Sequence, residues 1–501
     1  MTQKTRNAPP RAMAMLESLR GLGYTAATAL ADIIDNSISA GASDVWIDFQ
    51  WHGSESCVSV LDNGRGMSDA ELESAMTLGD KNPLDARACD DLGRFGMGMK
   101  TASFSQCRRL TVASSKEGEQ SCLRWDLDEL AADPSGGWLM HEGPALGSEA
   151  LFAPLAQQQH GTMVLWEAMD RIVTSGYSAD DFLDLITDVE AHLSMVFHRL
   201  IEGPRPRLRI YVNGKAISPW DPFMVGHPSK PWNSPVSRRQ TPDGQVEIEC
   251  HVLPHKDKLS DDEWKRCAGP NGWTAQQGFY VYRNERLLLA GGWLGLGPNK
   301  AWNREEAHRL ARIRLDIPNT ADAAWKIDIK KSTARPPVAL RQWLTRYAED
   351  TRERARKVFA YRGSPAPSPT GTPLEQAWRV DHTSTGPRYR IDEQHPAVLA
   401  VLESAGPLLP VVKAMLRVIQ ETVPVQRIWI DTAENKETPR TAFAGEAPDA
   451  VIGVMRTIYN DMVGRRSMAP ELARRALLST EPFQNFPALV ASLGASEAFE
   501  K

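Results

Sequence analysis

The chain has 501 residues, of which 42% are hydrophobic and 24% charged. This composition is typical of a soluble globular protein with about two to four domains. The net charge of −5 excludes a uniformly basic nucleic-acid-binding surface but leaves a local basic face open. The sequence has no apolar run of the ~20 residues that a membrane span needs, no secretory signal and no CxxC pair among its six cysteines. We therefore expect a cytoplasmic protein with reduced thiols.

The first 200 residues predict a mixed α/β sandwich, because helices alternate with strands but several strands follow one another directly. Apolar residues at helical spacing predict a helix over 12–40, broken at Gly21–Gly23. A further helix is expected near 68–77, a Gly-, Asp- and Asn-rich loop at 79–98, a helix from Lys100, and a helix at 178–200. The expected strands are 45–49, 57–61, 109–113, 121–125 and 162–166.

The remainder of the chain divides into three parts by composition. Strand-like runs predict a second α/β domain over 203–345, and a charged helix begins near 337. Residues 363–388 are rich in Pro, Ser, Thr and Gly, which predicts a linker, and helical periodicity dominates beyond it. The predicted domains are 1–202, 203–345, a charged helix with linker at 346–390, and a mainly helical module at 391–501.

Asp32, Asp35 and Asn36 lie at positions i, i+3 and i+4 of the first long helix, so they share one face. Two carboxylates and an amide on one face offer oxygen ligands to a hard cation and a base for a water molecule. The alternative interpretation is a solvated polar helix face, which this segment taken alone favours.

A second polar run, Asp62-Asn-Gly-Arg-Gly-Met67, follows an apolar strand directly. An aspartate at a strand end can accept a hydrogen bond from an exocyclic amine, and Gly64 and Gly66 would let a flat base approach the backbone. The alternative interpretation is a tight turn, which the same residues would also make.

The third run, Gly93-Arg-Phe-Gly-Met-Gly-Met-Lys100, opens a helix. Backbone N–H groups at a helix start, exposed by glycines, bind phosphates. The run does not follow a strand, and no acidic residue for a ribose comes ~20 residues later, so a dinucleotide-binding fold is disfavoured. GxxxxGK[ST] is also absent from this run, so it is not a P-loop.

Taken in order and followed by Gly161-Thr162, these runs resemble the motifs of the GHKL ATPase superfamily, which has the Bergerat fold. The superfamily includes gyrase B subunits, MutL, the ninety-kilodalton heat-shock chaperone, sensor histidine kinases and MORC proteins. The resemblance covers residues 12–170 and implies that ATP and Mg²⁺ are bound, with Asn36 as the metal ligand, Asp62 on the adenine amine and 79–98 as the lid. The implied nucleotide-binding residues are Asn36, Asp35, Ala40, Asp62, Gly64, Gly66, Met67, Gly93, Arg94, Phe95, Gly96, Met97, Gly98, Met99, Lys100 and Thr162.

The catalytic position departs from the superfamily pattern. Hydrolysing members place Glu four residues before the metal-binding Asn, whereas this chain has Asp32 there, one methylene shorter. Asp35 is a possible substitute as the base. The second domain resembles the transducer domain of gyrase, MutL and MORC proteins, in which a lysine reaches the γ-phosphate. Lys330 and Lys331, in what looks like a strand and loop over 325–332, are the candidates; an exposed basic strand end is the alternative.

Lys100–Arg109 and the lid run LGDKNP resemble those of prokaryotic MORC-like ATPases. This resemblance implies an ATPase that homodimerises when ATP is bound and acts on DNA, with possible partner proteins of a multi-gene defence or DNA-processing system. The shorter Asp32 predicts that its hydrolysis is slow. Arg465, Arg466, Arg474 and Arg475 could contact a phosphate backbone, although packing is the alternative. A chaperone-like protein remodeller and a non-hydrolysing ATP sensor are the other functions left open.

Overall fold

A computed structural model of the chain separates into two units, Met1–Ala360 and Tyr361–Lys501, which are described here one at a time. The structure describes residues 10–80, 98–133, 135–298, 301–328, 331, 333–360, 375–383, 386–425, 428, 449–480 and 483–494.

The described part of the first unit begins with an eight-stranded sheet in the order β5-β4-β3-β6-β2-β1-β7-β8. Asp62, the last residue of β2, pairs with Thr162 near the start of β6, so two sequence motifs meet at one sheet edge. The strands are β1 (Asp44–Gln50), β2 (Cys57–Asp62), β3 (Arg109–Lys116), β4 (Glu119–Asp126), β5 (His141–Glu142), β6 (Gly161–Glu167), β7 (Arg209–Val212) and β8 (Lys215–Ala216).

Helices cover this sheet and bury its apolar residues. The long helix predicted over 12–40 is confirmed as two helices, α1 and α2, and α2 begins where the Thr25 hydroxyl accepts a hydrogen bond from Thr28 N–H. The helices of this part are α1 (Ala12–Arg20), α2 (Ala26–Ser39), α3 (Asp69–Met76), α4 (Gly98–Phe104), α5 (Leu127–Ala132), α6 (Ala153–Ala156), α7 (Ala179–Val196) and α8 (His198–Ile201), with a 3₁₀ turn at Glu149–Phe152.

The predicted mixed α/β sandwich is therefore confirmed. Residues 209–216, which the sequence places in the second domain, instead extend the first sheet, because β7 pairs in parallel with β1. Their alternation of buried and more exposed residues is satisfied equally by either sheet, so the sequence pattern does not distinguish the two. The domain boundaries themselves stay a prediction.

A second sheet of six described strands follows in the same unit. Its buried face packs against the long helix α12, whose Leu340, Leu344, Ala348 and Ala355 are in the core. The strands are β9 (Trp232–Asn233), β10 (Ser237–Thr241), β11 (Gly244–Val252), β12 (Gly278–Arg283), β13 (Arg286–Ala290) and β14 (Ala311–Asp316). The helices are α9 (Asp261–Cys267), α10 (Gly272–Ala275), α11 (Asp322–Trp325) and α12 (Val338–Ala360), with 3₁₀ turns at Lys256–Lys258, Glu306–His308 and Asn319–Ala321.

The segment after β14 differs from the sequence expectation of a strand. Trp325 ends the short helix α11, and Lys326 follows in the left-handed region with φ +51°. The Trp325 ring is buried in the second core, so the alternation of large and polar residues here reflects burial in a turn. Ile329, Lys330 and Ser332 lie outside the described residues.

The second unit contains a β-hairpin and a group of helices. Residues 378–383 and 386–391 pair as antiparallel strands, although the sequence predicts a linker to residue 388, because Trp378, Val380 and Tyr389 supply strand-forming side chains. Its elements are β15 (Trp378–Thr383), β16 (Gly386–Ile391), α13 (Pro396–Ser404), α14 (Leu409–Glu421), α15 (Asp449–Asn460), α16 (Pro470–Leu478) and α17 (Pro487–Ser492), with 3₁₀ turns at Gly406–Leu408 and Phe483–Asn485 and a π turn at Asp461–Arg465.

Within the described ranges no single helix is long and apolar enough to cross a membrane. The segments Pro396–Ser404 and Gly406–Glu421 meet the length and hydropathy criteria only when taken together, with a bend of 111° between them.

Candidate functional site

Asp62 is held at the end of β2 by hydrogen bonds on both carboxylate oxygens. Its Oδ2 accepts from the Ser37 hydroxyl at 2.7 Å, and its Oδ1 accepts from Gly64 N–H at 2.9 Å. The residue is 6% exposed. Burial raises the pKa of the Asp62 carboxyl above its usual value, while Ser37 and the backbone N–H groups of Gly64 and Thr162 act in the opposite direction.

The loop that follows Asp62 can be built only with glycine at two positions. A Cβ on Gly64 would lie 2.8 Å from the Ala40 Cβ, and Arg65 N–H donates to the Ala40 carbonyl at 3.0 Å. Gly66 has φ +69°, and a Cβ there would lie 1.8 Å from the Ser115 carbonyl oxygen. Ala40 therefore contacts this loop at the end of α2.

A buried hydroxyl network joins this loop to β3 and β6. The Ser114 hydroxyl accepts from Met67 N–H at 2.8 Å and lies 2.9 Å from the Thr162 hydroxyl. It also lies 3.0 Å from the Gly161 carbonyl, to which it can donate. Sequence reasoning missed Ser114, although a serine at the end of the apolar run Leu110–Ala113 is a detectable polar interruption.

Asp32, Asp35 and Asn36 do share one face of α2, but only Asn36 is exposed. Asp32 and Asp35 are 4% and 2% exposed, so the alternative of a solvated helix face is wrong for these two carboxylates. Asn36 donates through Nδ2 to the Asp32 carbonyl at 2.9 Å, which leaves its amide oxygen as a ligand for a cation. An exposed amide oxygen beside a phosphate site suits Mg²⁺, which prefers oxygen ligands and retains several waters.

Two cations from the second half of the unit neutralise these two carboxylates. Lys331 Nζ donates to Asp32 Oδ1 at 2.8 Å and also to Asp35 Oδ2. Arg286 contacts both oxygens of Asp35 at 3.1 Å, and one of its nitrogens lies 3.7 Å from Asp32 Oδ1. Burial alone would raise the pKa of Asp35, but Arg286 and Lys331 together hold it below its usual value.

Tyr24 is a second partner of Asp32 that the sequence analysis missed. Its hydroxyl donates to Asp32 Oδ2 at 2.9 Å, so both carboxylate oxygens of Asp32 are occupied. Burial, and then the nearby Asp32 carboxylate, raise the pKa of the Tyr24 phenol far above its usual value, so Tyr24 stays a neutral donor. A tyrosine just before a capping Thr25 carries no local signal of this contact.

The start of α4 lies beside the Asp32 carboxylate. A Cβ built on Gly98 would lie 4.0 Å from Asp32 Oδ2, and Met99 packs partly buried against the first core. The Lys100 ammonium, however, is buried and donates to the carbonyls of Ala75 and Thr77 at 2.8 and 2.7 Å. The remaining predicted residues of this run lie outside the described ranges: Gly93, Arg94, Phe95, Gly96 and Met97.

The site therefore has two ends, one built around Asp62 and one around Asp32 and Asp35, and α2 contributes residues to both. An α/β sandwich with such a helix, an Asp-Asn-Gly loop and a helix over Gly98–Phe104 is the arrangement that the resemblance to the GHKL superfamily predicts.

Comparison with known proteins supports this class. Residues 24–162 match the family described as "Histidine kinase-, DNA gyrase B-, and HSP90-like ATPase". "ATPase morc-1" of Caenorhabditis elegans is 33% identical over 91 residues, which are 18% of this chain and 10% of that protein. The match thus spans about a tenth of the relative's length. Residues 24–162 are therefore similar to GHKL ATPases, including a MORC ATPase, and this similarity implies ATP binding, usually with Mg²⁺.

Proposed function

We propose that this protein binds Mg²⁺–ATP between Asp62 and the start of α4 and hydrolyses it to ADP and phosphate. Asp62 would accept the adenine amine, with Thr162 supporting the surrounding network, and the oxygen of Asn36 would hold the Mg²⁺ ion that neutralises phosphate charge. The observation that carries the proposal is the position of Asp32: a buried carboxylate held by Tyr24 beside Gly98, at the helix start where phosphates bind.

In the proposed reaction a water oxygen attacks the γ-phosphorus, the bond between that phosphorus and the ADP oxygen breaks, and Asp32 takes the proton of the water. Because Lys331 donates to Asp32 Oδ1, that oxygen becomes free to act as a base when the lysine moves to the γ-phosphate. On the phosphate, the ammonium would stabilise the negative charge that develops there. Lys330 lies outside the described residues, so the contacts of Lys331 make it the candidate we favour.

An ATPase assay on purified protein tests the proposal. We expect Asp32→Asn to lower kcat by roughly 10²- to 10⁴-fold, the usual worth of a general base, with little change in ATP affinity. Asp188→Asn, an exposed change on α7, is the matched control and leaves turnover unchanged. Turnover that survives Asp32→Asn would remove Asp32 from the mechanism. A wild-type protein that binds ATP but does not turn it over would instead support the non-hydrolysing sensor, which the shorter Asp32 favours.

We also propose that ATP binding closes a homodimer, as the resemblance to MORC proteins implies. Light scattering with the β,γ-imido analogue of ATP would show a doubling of mass, and a monomer at saturating analogue would contradict the proposal. Asn36→Ala, which removes the proposed metal ligand, should prevent the change.

The proposed target is DNA, in a bacterial defence or DNA-processing system with partner proteins. Support for this comes from the similarity to MORC proteins, because two of the C-terminal arginines are engaged elsewhere: Arg466 pairs with Glu403 and Asp461, and Arg474 with Glu471. Binding to duplex DNA at two salt concentrations separates DNA contact, which weakens steeply with salt, from the alternative of a protein remodeller.

A further inference from the structure

Arg286 connects the second sheet to the nucleotide site, and no sequence motif includes it. It opens β13, directly after a turn at Asn284 and Glu285, which both have positive φ. Across this turn Arg286 pairs with Arg283 of β12, and both arginines are buried. Arg283 donates to Asp322 of α11 at 2.5 Å, whereas Arg286 reaches Asp35 on α2.

The guanidinium of Arg286 is held in place on every side. Besides its two contacts with Asp35, it donates to the Leu287 carbonyl at 2.7 Å and lies 5.9 Å from the centre of the Phe197 ring. A buried arginine fixed by a carboxylate, a carbonyl and an aromatic face has little freedom to move toward a ligand. Lys331, on a flexible stem and 11% exposed, has that freedom.

The two cations therefore differ in role: Arg286 stays on Asp35, whereas Lys331 can leave the carboxylates. With Arg286 present, Asp35 remains neutralised when Lys331 leaves, because Arg286 contacts both of its oxygens. Without Arg286, the departure of Lys331 would leave two buried carboxylates close together without a cation, which is strongly unfavourable in a desolvated site.

We propose that Arg286 is a positioning residue that releases Lys331: by neutralising Asp35 from the second sheet, it allows Lys331 to exchange between the carboxylate pair and the γ-phosphate. This inference rests on the proposed function, since it concerns the same site. It makes the discrimination between ATP and ADP depend on a contact between the second sheet and α2.

The test measures binding of the β,γ-imido analogue of ATP and of ADP by calorimetry. We expect the wild type to prefer the analogue by about 10- to 100-fold, the worth of one charge-assisted contact to the γ-phosphate. Lys331→Met should reduce this preference to nearly one, and Arg286→Met should do the same although Lys331 is intact. Asp35→Asn removes the negative charge that Arg286 neutralises, so Lys331 can again leave for the γ-phosphate. The double variant Asp35→Asn/Arg286→Met should therefore regain most of the preference for the analogue.

Arg283→Met is the matched control, because it removes the other buried arginine of the same hairpin without contacting α2. It should destabilise the protein but keep the preference for the analogue. Hydrogen exchange of residues 24–40 without nucleotide gives a second readout, and Arg286→Met should raise it selectively.

The inference is overturned if Arg286→Met keeps the wild-type preference, if the double variant does not recover it, or if Lys331→Met leaves it unchanged. If Arg286→Met does not fold, Arg286→Gln, which also removes the cation, and the double variant carry the same comparison. These outcomes are separate from failure of the proposed function, which would show as absent or Asp32-independent turnover in a protein whose binding preference can still be measured.

Discussion

The two ends of the candidate nucleotide site are built in different ways. At the Asp62 end, the partners are hydroxyl and backbone groups: Ser37, Gly64 and the Ser114–Thr162 pair. They all belong to one sheet and its covering helix. At the Asp32 end, the partners are two cations that are brought by the second sheet and the segment after it.

The Asp62 end is therefore fixed by local geometry, whereas the Asp32 end depends on charge balance between two parts of the unit. Neutral hydrogen bonds at the Asp62 end have fixed partners, because glycines and paired strands leave little room for other arrangements. Ion pairs at the Asp32 end have a mobile member, since a lysine can exchange one anion for another. We therefore expect the Asp62 end to bind the nucleotide and the Asp32 end to change its ion pairs when a γ-phosphate is present.

The largest effect is expected at the Asp62 end from Gly66→Ala. The new Cβ would meet the Ser115 carbonyl and occupy a left-handed backbone position, so the loop must shift. We expect a loss of about 3 kcal/mol or more in stability and loss of measurable ATP binding. Urea unfolding measures the first quantity and calorimetry the second. Gly53→Ala is the control, because its φ is also positive but nothing lies within 4 Å of the new Cβ. Equal effects of the two changes would contradict the geometric account of this end.

The next largest effect concerns Lys100, which the sequence places on the phosphates. Its ammonium holds two carbonyls at the end of α3, so Lys100→Met should lower stability by roughly 2–4 kcal/mol. ATP affinity of the folded variant should change little. Thermal unfolding and calorimetry measure the two quantities, and Lys116→Met, which removes an exposed ion pair, is the control. A large loss of ATP affinity with unchanged stability would instead support the predicted contact of Lys100 with the phosphates.

The two ends should also differ in the sign of their pH dependence. The pKa of Asp62 is raised in the folded state, so its contribution to stability is full below the unfolded value of 3.8 and falls as pH rises through the folded value. The pKa of Asp35 is lowered, so its contribution is full above 3.8 and is lost as pH falls through the folded value. Unfolding of wild type, Asp62→Asn and Asp35→Asn across this range, without nucleotide, should give wild-type-minus-variant differences that slope in opposite directions. Stability differences that change with pH in the same direction for both variants would contradict the expected difference between the two ends.

The smallest effect is expected from Ser37→Ala, which removes one hydrogen bond to Asp62. We expect ATP affinity to fall by about 3- to 10-fold, as the loss of one ordinary hydrogen bond allows. Ser39→Ala, two residues along α2, removes a hydroxyl that donates to a helix carbonyl and should leave affinity unchanged. A larger effect from Ser39 would mean that the helix end, rather than the Asp62 network, determines binding.

The sequence by itself determined the elements of the first domain, the shared face of Asp32, Asp35 and Asn36, and the glycines of the Asp62 loop. These features depend on periodicity and local backbone conformation, which neighbouring residues specify. The superfamily resemblance followed from the same local motifs and agrees with the family match to residues 24–162.

The pairing of cations with the buried carboxylates is visible only in the tertiary structure. Lys331 and Arg286 lie about 300 and 250 residues from the carboxylates they neutralise, so no local pattern could pair them. The same reason explains why Lys100, a good phosphate candidate by position, instead closes the end of α3. It also explains why residues 209–216, with the strand pattern expected for the second domain, extend the first sheet. Ion pairs and strand partners form between surfaces that fold together, and their choice depends on packing across the whole unit.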